Sequence, residues 1–151
     1  MKKLRLHHLV ILISILICVV VYFASPIRIQ QIISSADHVE KIYITYHAQG
    51  ETKRFYIQFD KQNGIAEMIN ILDSITYSRE INTYKGTTSS IVMMDIVNRD
   101  SSNYSLSITE DGKIITEHKL YQSKSDYEAI FNSLMEWIMN NGTSQPINQM
   151  E

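Results

Sequence analysis

The sequence has very little cysteine. Of its 151 residues only Cys18 is a cysteine, and it lies inside an apolar run near the N-terminus. No disulfide framework and no thiolate metal site can therefore form beyond residue 26. The roughly 125 residues after the run are close to the usual size of one domain, and they must be held together by an ordinary hydrophobic core.

Basic runs are missing from the main part of the chain. Of the 14 lysines and arginines, Lys2, Lys3 and Arg5 precede the apolar run, whereas all 16 acidic residues follow it. The distal part thus has 11 basic and 16 acidic side chains, a net charge of −5. A mildly acidic domain without a basic patch lacks the electrostatic footprint of nucleic-acid-binding proteins. We expect no nucleic-acid partner.

The signatures of common catalytic sites are also absent. The sequence contains no G-x-S-x-G, no P-loop, no G-x-G-x-x-G and no H-E-x-x-H. The distal histidines His38, His47 and His118 are far apart in sequence and lack the spacing of metal ligands. We therefore expect no catalytic residues, no metal and no cofactor.

Acidic residues at two places could still carry chemistry. Glu110 and Asp111 fall in a predicted hairpin turn, where aspartate is favoured for local backbone hydrogen bonds. Asp95 is less expected, because it interrupts the apolar stretch IVMMDIV. We interpret it as facing solvent or pairing with Arg79 or Arg99, with a pH-tuned functional carboxylate as the alternative.

A long apolar run stands near the N-terminus. Residues 9–24 are apolar apart from Ser14, and as a helix they would extend about 24 Å, somewhat less than the roughly 30 Å hydrocarbon core of a bilayer. His7 and His8 can extend the helix into the interface, and Tyr22 lies where aromatic rings are favoured at the far interface. The basic residues before the run predict a cytoplasmic N-terminus and an outer C-terminal part. The sequence therefore predicts a single-pass anchor in the cell membrane.

Two other fates of this run stay open. Cleavage as a signal peptide near Ala24 would release the distal part as a secreted protein, but Tyr22 would then occupy position −3, where a small residue is required. Lipidation of Cys18 is the second alternative, because bacterial lipoprotein signals resemble an apolar run followed by cysteine. Those signals have a small residue before the cysteine, and Ile17 stands there instead.

Polarity and periodicity divide the chain into four parts. Residues 1–26 form the cytoplasmic basic tip and the transmembrane anchor. Residues 27–39 have mixed polarity without a clear period and are interpreted as a stalk. Residues 40–140 are predicted to form the extracytoplasmic domain, and the polar residues 141–151 a flexible tail.

The periodicity of the first half of this domain predicts two strands and a helix. KIYITYH (41–47) and RFYIQFD (54–60) alternate with a period of two and predict a hairpin. Apolar residues at helical spacing then predict a helix over about 65–74. Four more stretches predict strands, namely TYSREI, SSIVMMDIVN, YSLSI and IIT. The last two are joined by an Asp111-Gly112 turn.

A second helix closes the domain. Ser125 and Glu128 predict a capping box at its start, and Asn141-Gly142 predicts its end. The apolar stripe of this helix comprises Tyr127, Ile130, Phe131, Leu134 and Ile138. The predicted order is β-β-α-β-β-β-β-α, an α+β domain of two layers with an antiparallel sheet and two helices on one face.

Helices on one face leave the other face of the sheet open. The residues predicted on this open face are Tyr43, Thr45, Tyr56, Gln58, Ser105 and Ser107, together with part of the row Val92, Met94 and Ile96. A sheet face with tyrosines and apolar side chains is typical of a binding platform. The alternative is that the tyrosines are there for their strand propensity alone.

The order of elements in this chain resembles that of a known group. The elements are the anchor, the KIYITY–RFYIQF hairpin, the MINILDSI helix, the SIVMMDIV–YSLSITEDGKII strands and Tyr121 before a closing helix. The chain is similar to small membrane-anchored or lipid-anchored extracytoplasmic domains of Gram-positive bacteria over about residues 1–139. The resemblance implies an α+β outer domain and no particular activity. Ile17 before Cys18 departs from the lipidated members.

These features predict a membrane-anchored extracytoplasmic domain that binds another envelope protein or a small ligand without catalysis. Two alternatives stay open. One is an enzyme or metal-dependent envelope factor of unrecognised type, and the other is a sensor or assembly partner that acts through its transmembrane helix.

Overall fold

The computed structural model describes residues 2–33, 38–59, 65–81, 86, 90–117, 119–125 and 127–146. The predicted α+β class is confirmed: an apolar N-terminal helix precedes an antiparallel sheet of eight strands with two further helices. The helices are α1 (Lys2–Ala24), α2 (Ala66–Asp73) and α3 (Glu128–Asn141), with a 3-10 turn at Ile29–Gln31. The strands are β1 (Val39–Ala48), β2 (Glu51–Gln58), β3 (Tyr77–Glu80), β4 (Ile91–Asn98), β5 (Asn103–Thr109), β6 (Lys113–Thr116), β7 (Leu120–Ser123) and β8 (Thr143–Gln145).

The sheet contains two strands that the predicted order lacks. Its strand order is β3-β7-β6-β5-β4-β1-β2-β8. The four-residue strand β7 lies between β6 and β3, and β8 pairs with β2 at the opposite edge. The flexible tail predicted from residue 141 is therefore wrong for residues 143–145. Three polar residues give no periodicity, and β8 exists because the backbone of β2 offers it an unpaired edge.

The core lies on one side of the sheet. Alternate residues of the central strands, such as Ile42, Ile44 and Phe55, are buried together with the apolar stripes of α2 and α3 in one hydrophobic cluster. The helices contact each other across this cluster. Both stripes were predicted from their helical spacing, and every member is buried except the half-buried Ile130.

Turn geometry fixes the register of the first hairpin. Gln49 and Gly50 have φ values of 51° and 82°, and Ala48 pairs with Glu51. Two left-handed residues in a two-residue loop match the twist of the strands they join. The pairing of the two strands therefore begins directly beside the turn.

The described part of the predicted stalk belongs to the domain. The amide of Ile27 donates to the Tyr77 carbonyl at 2.9 Å, and the amide of Tyr77 donates back to Ile27 at 2.8 Å. Ile27, Ile29 and Ile33 are exposed by only 2%, 0% and 2%. The interpretation of this segment as a stalk is wrong, because isoleucines without a regular period bury their side chains along an irregular path.

The structure places the N-cap of α3 at Tyr127, two residues after the predicted Ser125. The helix begins at Glu128, and Tyr127 at its N-cap position makes no side-chain capping hydrogen bond. Before the helix, the carbonyl of Ser125 accepts a hydrogen bond from the Ser123 hydroxyl. The predicted helix end is confirmed, since the Gly142 amide closes the last turn on the Ile138 carbonyl.

Helix α1 is apolar enough to span a membrane, and none of the 18 residues His7–Ala24 is buried against the rest of the chain. Its C-terminal end contacts the domain. Arg79 donates from Nη1 to the Tyr22 carbonyl at 2.8 Å, and Lys124 donates from Nζ to the Ala24 carbonyl at 3.2 Å. The last carbonyls of a helix have no partner within it, so these two cations cap α1 and also favour its dipole.

Candidate functional site

The open face of the sheet is built by the central strands β2, β1, β4 and β5. Their register places four polar or aromatic residues side by side: Tyr56 is opposite Tyr43, Tyr43 is opposite Asp95, and Asp95 is opposite Ser105. Residues paired directly across a sheet share a face. We name these four residues the central row.

A second row crosses the same strands two residues away. It contains Arg54 on β2, Thr45 on β1, Met93 on β4 and Ser107 on β5. Met93 is 41% exposed, the same fraction as Tyr43 in the central row. The open face therefore presents an aromatic and a thioether side chain within a mainly polar surround.

All six residues that the sequence assigned to the open face lie on it. Gln58 extends the platform at the end of β2, where it pairs with Lys41. The helices α2 and α3 pack on the opposite side of the sheet. Within the described residues, these six side chains therefore lie on one continuous surface, the open face of the sheet.

The prediction that part of the row Val92, Met94 and Ile96 lies on the open face is wrong. All three side chains are 0% exposed and belong to the core. The open face instead takes Met93 and Asp95 from this strand. Asp95 could have shown from the sequence which residues of β4 face solvent. A charged side chain belongs on the solvated face of a strand, and Met93, two residues earlier, must lie on the same face.

Hydrogen bonds and ring packing order the central row. The rings of Tyr43 and Tyr56 have centroids 5.2 Å apart and are tilted by 44°, which is within the range of favourable aromatic pairs. The Tyr56 hydroxyl donates to Gln58 Oε1 at 2.9 Å. The Ser105 hydroxyl donates to Asp95 Oδ1 at 2.6 Å. The platform thus holds its polar groups in place before any partner arrives.

The Asp95 carboxylate settles one of the alternatives left by the sequence. It faces solvent on the open face and accepts its described hydrogen bond from Ser105, not from Arg79 or Arg99. Arg79 contacts α1 instead. A carboxylate beside two tyrosines and a serine can accept hydrogen bonds from a partner's N–H or O–H groups.

The pair Glu110 and Asp111 lies in a turn, as predicted. Glu110 accepts a hydrogen bond from the Ser90 amide at 3.1 Å. Burial alone would raise the pKa of Asp111, but hydrogen bonds from Lys113 and Thr109 outweigh it and hold that pKa below its ordinary value. Asp111 therefore stabilises the turn itself, and Glu110 joins the turn to Ser90, the residue before β4.

Two open polar grooves lie beside the sheet. One, of about 410 Å³, runs between this turn and the start of α3, and the other, of about 290 Å³, lies at the β1–β2 turn. Neither is lined by Asp95, His38 or His47. These two grooves therefore do not bring Asp95 together with His38 or His47.

The distal histidines are not brought together by the described structure. His47 shares a hydrogen bond with the Thr52 hydroxyl at 3.1 Å, and His118 lies outside the described residues. In the part of the chain that the structure describes, no three histidine, cysteine or acidic side chains are grouped so that they could hold a metal ion.

Comparison with known proteins gives no match to this chain: no family model fits it, and no curated protein or solved structure is significantly similar.

Proposed function

We propose that the chain is a single-pass membrane protein whose outer domain binds another protein of the cell envelope through the open face of its sheet. The observation that carries the proposal is the central row, with Tyr43 exposed by 41% and its neighbours ordered by hydrogen bonds. Tyrosine and methionine are enriched at protein interfaces, where they contribute large contact areas.

The contacts at the end of α1 support an anchor that is retained. Cleavage near Ala24 would remove Tyr22, and with it both the carbonyl that Arg79 binds and the ring whose centroid lies 4.1 Å from its guanidinium carbon. Such a cut would leave Arg79 and Lys124 without these acceptors. The basic residues that precede the run support a cytoplasmic N-terminus and an outer domain.

The test is photocrosslinking in cells from a photoreactive residue at position 43. The matched control carries the same residue at Asn132, which is exposed on α3 in the opposite layer. We expect a discrete adduct from position 43 and none from position 132. Equal labelling at both positions, or no adduct at 43 from a folded protein, would contradict the proposal.

A second candidate function is sensing or assembly through α1 itself. It is favoured by the direct contacts of Arg79 and Lys124 with the end of the helix, because these contacts join the orientation of α1 to that of the domain. Scrambling the order of residues 9–21 at constant composition separates the two functions. If the adduct from position 43 survives, the open face selects the partner, and if it disappears, the helix does.

A further inference from the structure

One large apolar side chain is exposed at the edge of the sheet that lies next to α1. Ile81 directly follows β3 and is 79% exposed, the largest exposed fraction among the large apolar side chains in the described part of the chain. A single exposed isoleucine needs no explanation on its own. The position of Ile81 relative to the anchor helix α1, however, suggests a reason for its exposure.

Strand β3 runs back along the end of α1. Tyr77, at its start, forms an antiparallel bridge with Ile27, which follows the helix. Two residues later, Arg79 binds the carbonyl of Tyr22 in the last turn of the helix. Because the bridge between Ile27 and Tyr77 is antiparallel, β3 runs back beside the chain that leaves α1, and it contacts the helix itself. In an antiparallel arrangement each further residue of β3 lies opposite an earlier residue of the chain, so we infer that Ile81, just after β3, lies on the side towards the end of α1.

The neighbours of Ile81 suit the boundary between lipid headgroups and acyl chains. Tyr22 belongs to the aromatic residues favoured at that depth, and Arg79 lies over its ring. The register of β3 with β7 pairs Glu80 with Leu120, so the exposed Lys119 lies across from Ile81. Lysine and arginine at such sites keep their charges among phosphates while their stems lie on apolar surface.

We propose that the end of β3 is a second membrane contact of the outer domain. Ile81 inserts into the outer boundary layer of the bilayer, and Lys119 meets lipid phosphates beside it. The inference rests on the proposed membrane anchoring of α1. Contacts at both α1 and β3 would fix the tilt of the domain, and with it the direction in which the open face points.

Depth-dependent quenching tests this contact with the full-length chain in phosphatidylcholine vesicles that contain phosphatidylglycerol. In a Cys18→Ser background, one variant carries Ile81→Cys and the control carries Ser144→Cys, exposed on β8 at the far edge of the sheet. Each cysteine receives the same environment-sensitive fluorophore. A nitroxide near the top of the lipid acyl chains should quench the label at position 81 and leave that at 144 unquenched.

A third sample, labelled at the native Cys18, separates the two ways to fail. If the Cys18 label is quenched while position 81 behaves like position 144, the anchor stands and the second contact is refuted. If the Cys18 label is unquenched, α1 is not in the bilayer, and both the anchor and the second contact fail. Unchanged fluorescence of the single tryptophan, Trp137, checks that each variant is folded.

Discussion

Replacing Ile29 by alanine should destabilise the α+β domain substantially. The side chain is 0% exposed, and the 3-10 turn that carries it contacts α2. Truncating a fully buried isoleucine to alanine costs about 2–5 kcal/mol, because the transfer energy of the lost methyl groups adds to the energy of the cavity left behind. For a domain of this size that corresponds to a fall in Tm of roughly 8–20 °C.

The assay is urea or thermal unfolding of the full-length chain in detergent micelles, followed by the fluorescence of Trp137. This tryptophan is 4% exposed and donates to Glu67 Oε2 at 3.1 Å, so it reports on the packing of α3 against α2. The matched control is Gln30→Ala, an exposed position on the same turn, which should change stability by no more than about 0.5 kcal/mol. Equal effects of the two substitutions would refute the docking of this segment and restore a stalk.

Two further predictions concern the tyrosines and the turns. Burial raises the pKa of Tyr104 to about 12 and also raises that of Tyr127, so stability should be retained below the ordinary tyrosine pKa of 10.0 and lost as pH rises through 12. Some tyrosinate absorbance should then appear only with unfolding, and titration of every tyrosine before unfolding would contradict this. Gly50→Ala should cost about 1–2 kcal/mol through its φ of +82°. Gly112→Ala should cost roughly 1–3 kcal/mol more than Gly50→Ala, because its added Cβ would lie 2.9 Å from Tyr127 Cβ. Equal losses of Tm in the two variants would contradict a steric clash at position 112.

Much of the fold could be predicted from local periodicity. The alternation around Ile42 and Ile44 and the helical stripe of Met68 and Leu72 each put a residue in the core that the structure buries. Such patterns persist because a strand or helix with one buried face must repeat its apolar residues at the period of its backbone. The Asp111-Gly112 turn followed equally directly from the need for φ > 0 at the glycine.

Features that depend on tertiary partners could not be predicted in the same way. Ile27 and Ile29 are buried because β3 and α2 lie beside them, and no repeat within residues 27–39 signals it. The apolar residues of β4 occur on both of its faces, so its periodicity could not decide whether Met93 or Met94 faces the core; only Asp95 in the same strand carried that information. The capping box at Ser125 follows a real local preference, but the structure places the N-cap of α3 at Tyr127, which makes no side-chain capping hydrogen bond.

The sequence predicted which residues lie on the open face, from residue type and strand alternation, but not how they are arranged across the sheet. Tyr43 and Tyr56 were placed on one face from alternation alone. Only the register shows that Asp95 and Ser105 complete the same row. Strand register between distant segments is set by tertiary pairing, so sequence could supply the members of this face but not its order.

The most direct test of the membrane-anchored outer domain is the intact mass of the mature chain recovered from cell membranes. The account predicts the full-length chain of 17.5 kDa in the membrane fraction. A chain that begins near Ser25 and is found in the medium would contradict it in favour of secretion. A membrane-bound chain that begins at a lipid-modified Cys18 would contradict it in favour of a lipoprotein.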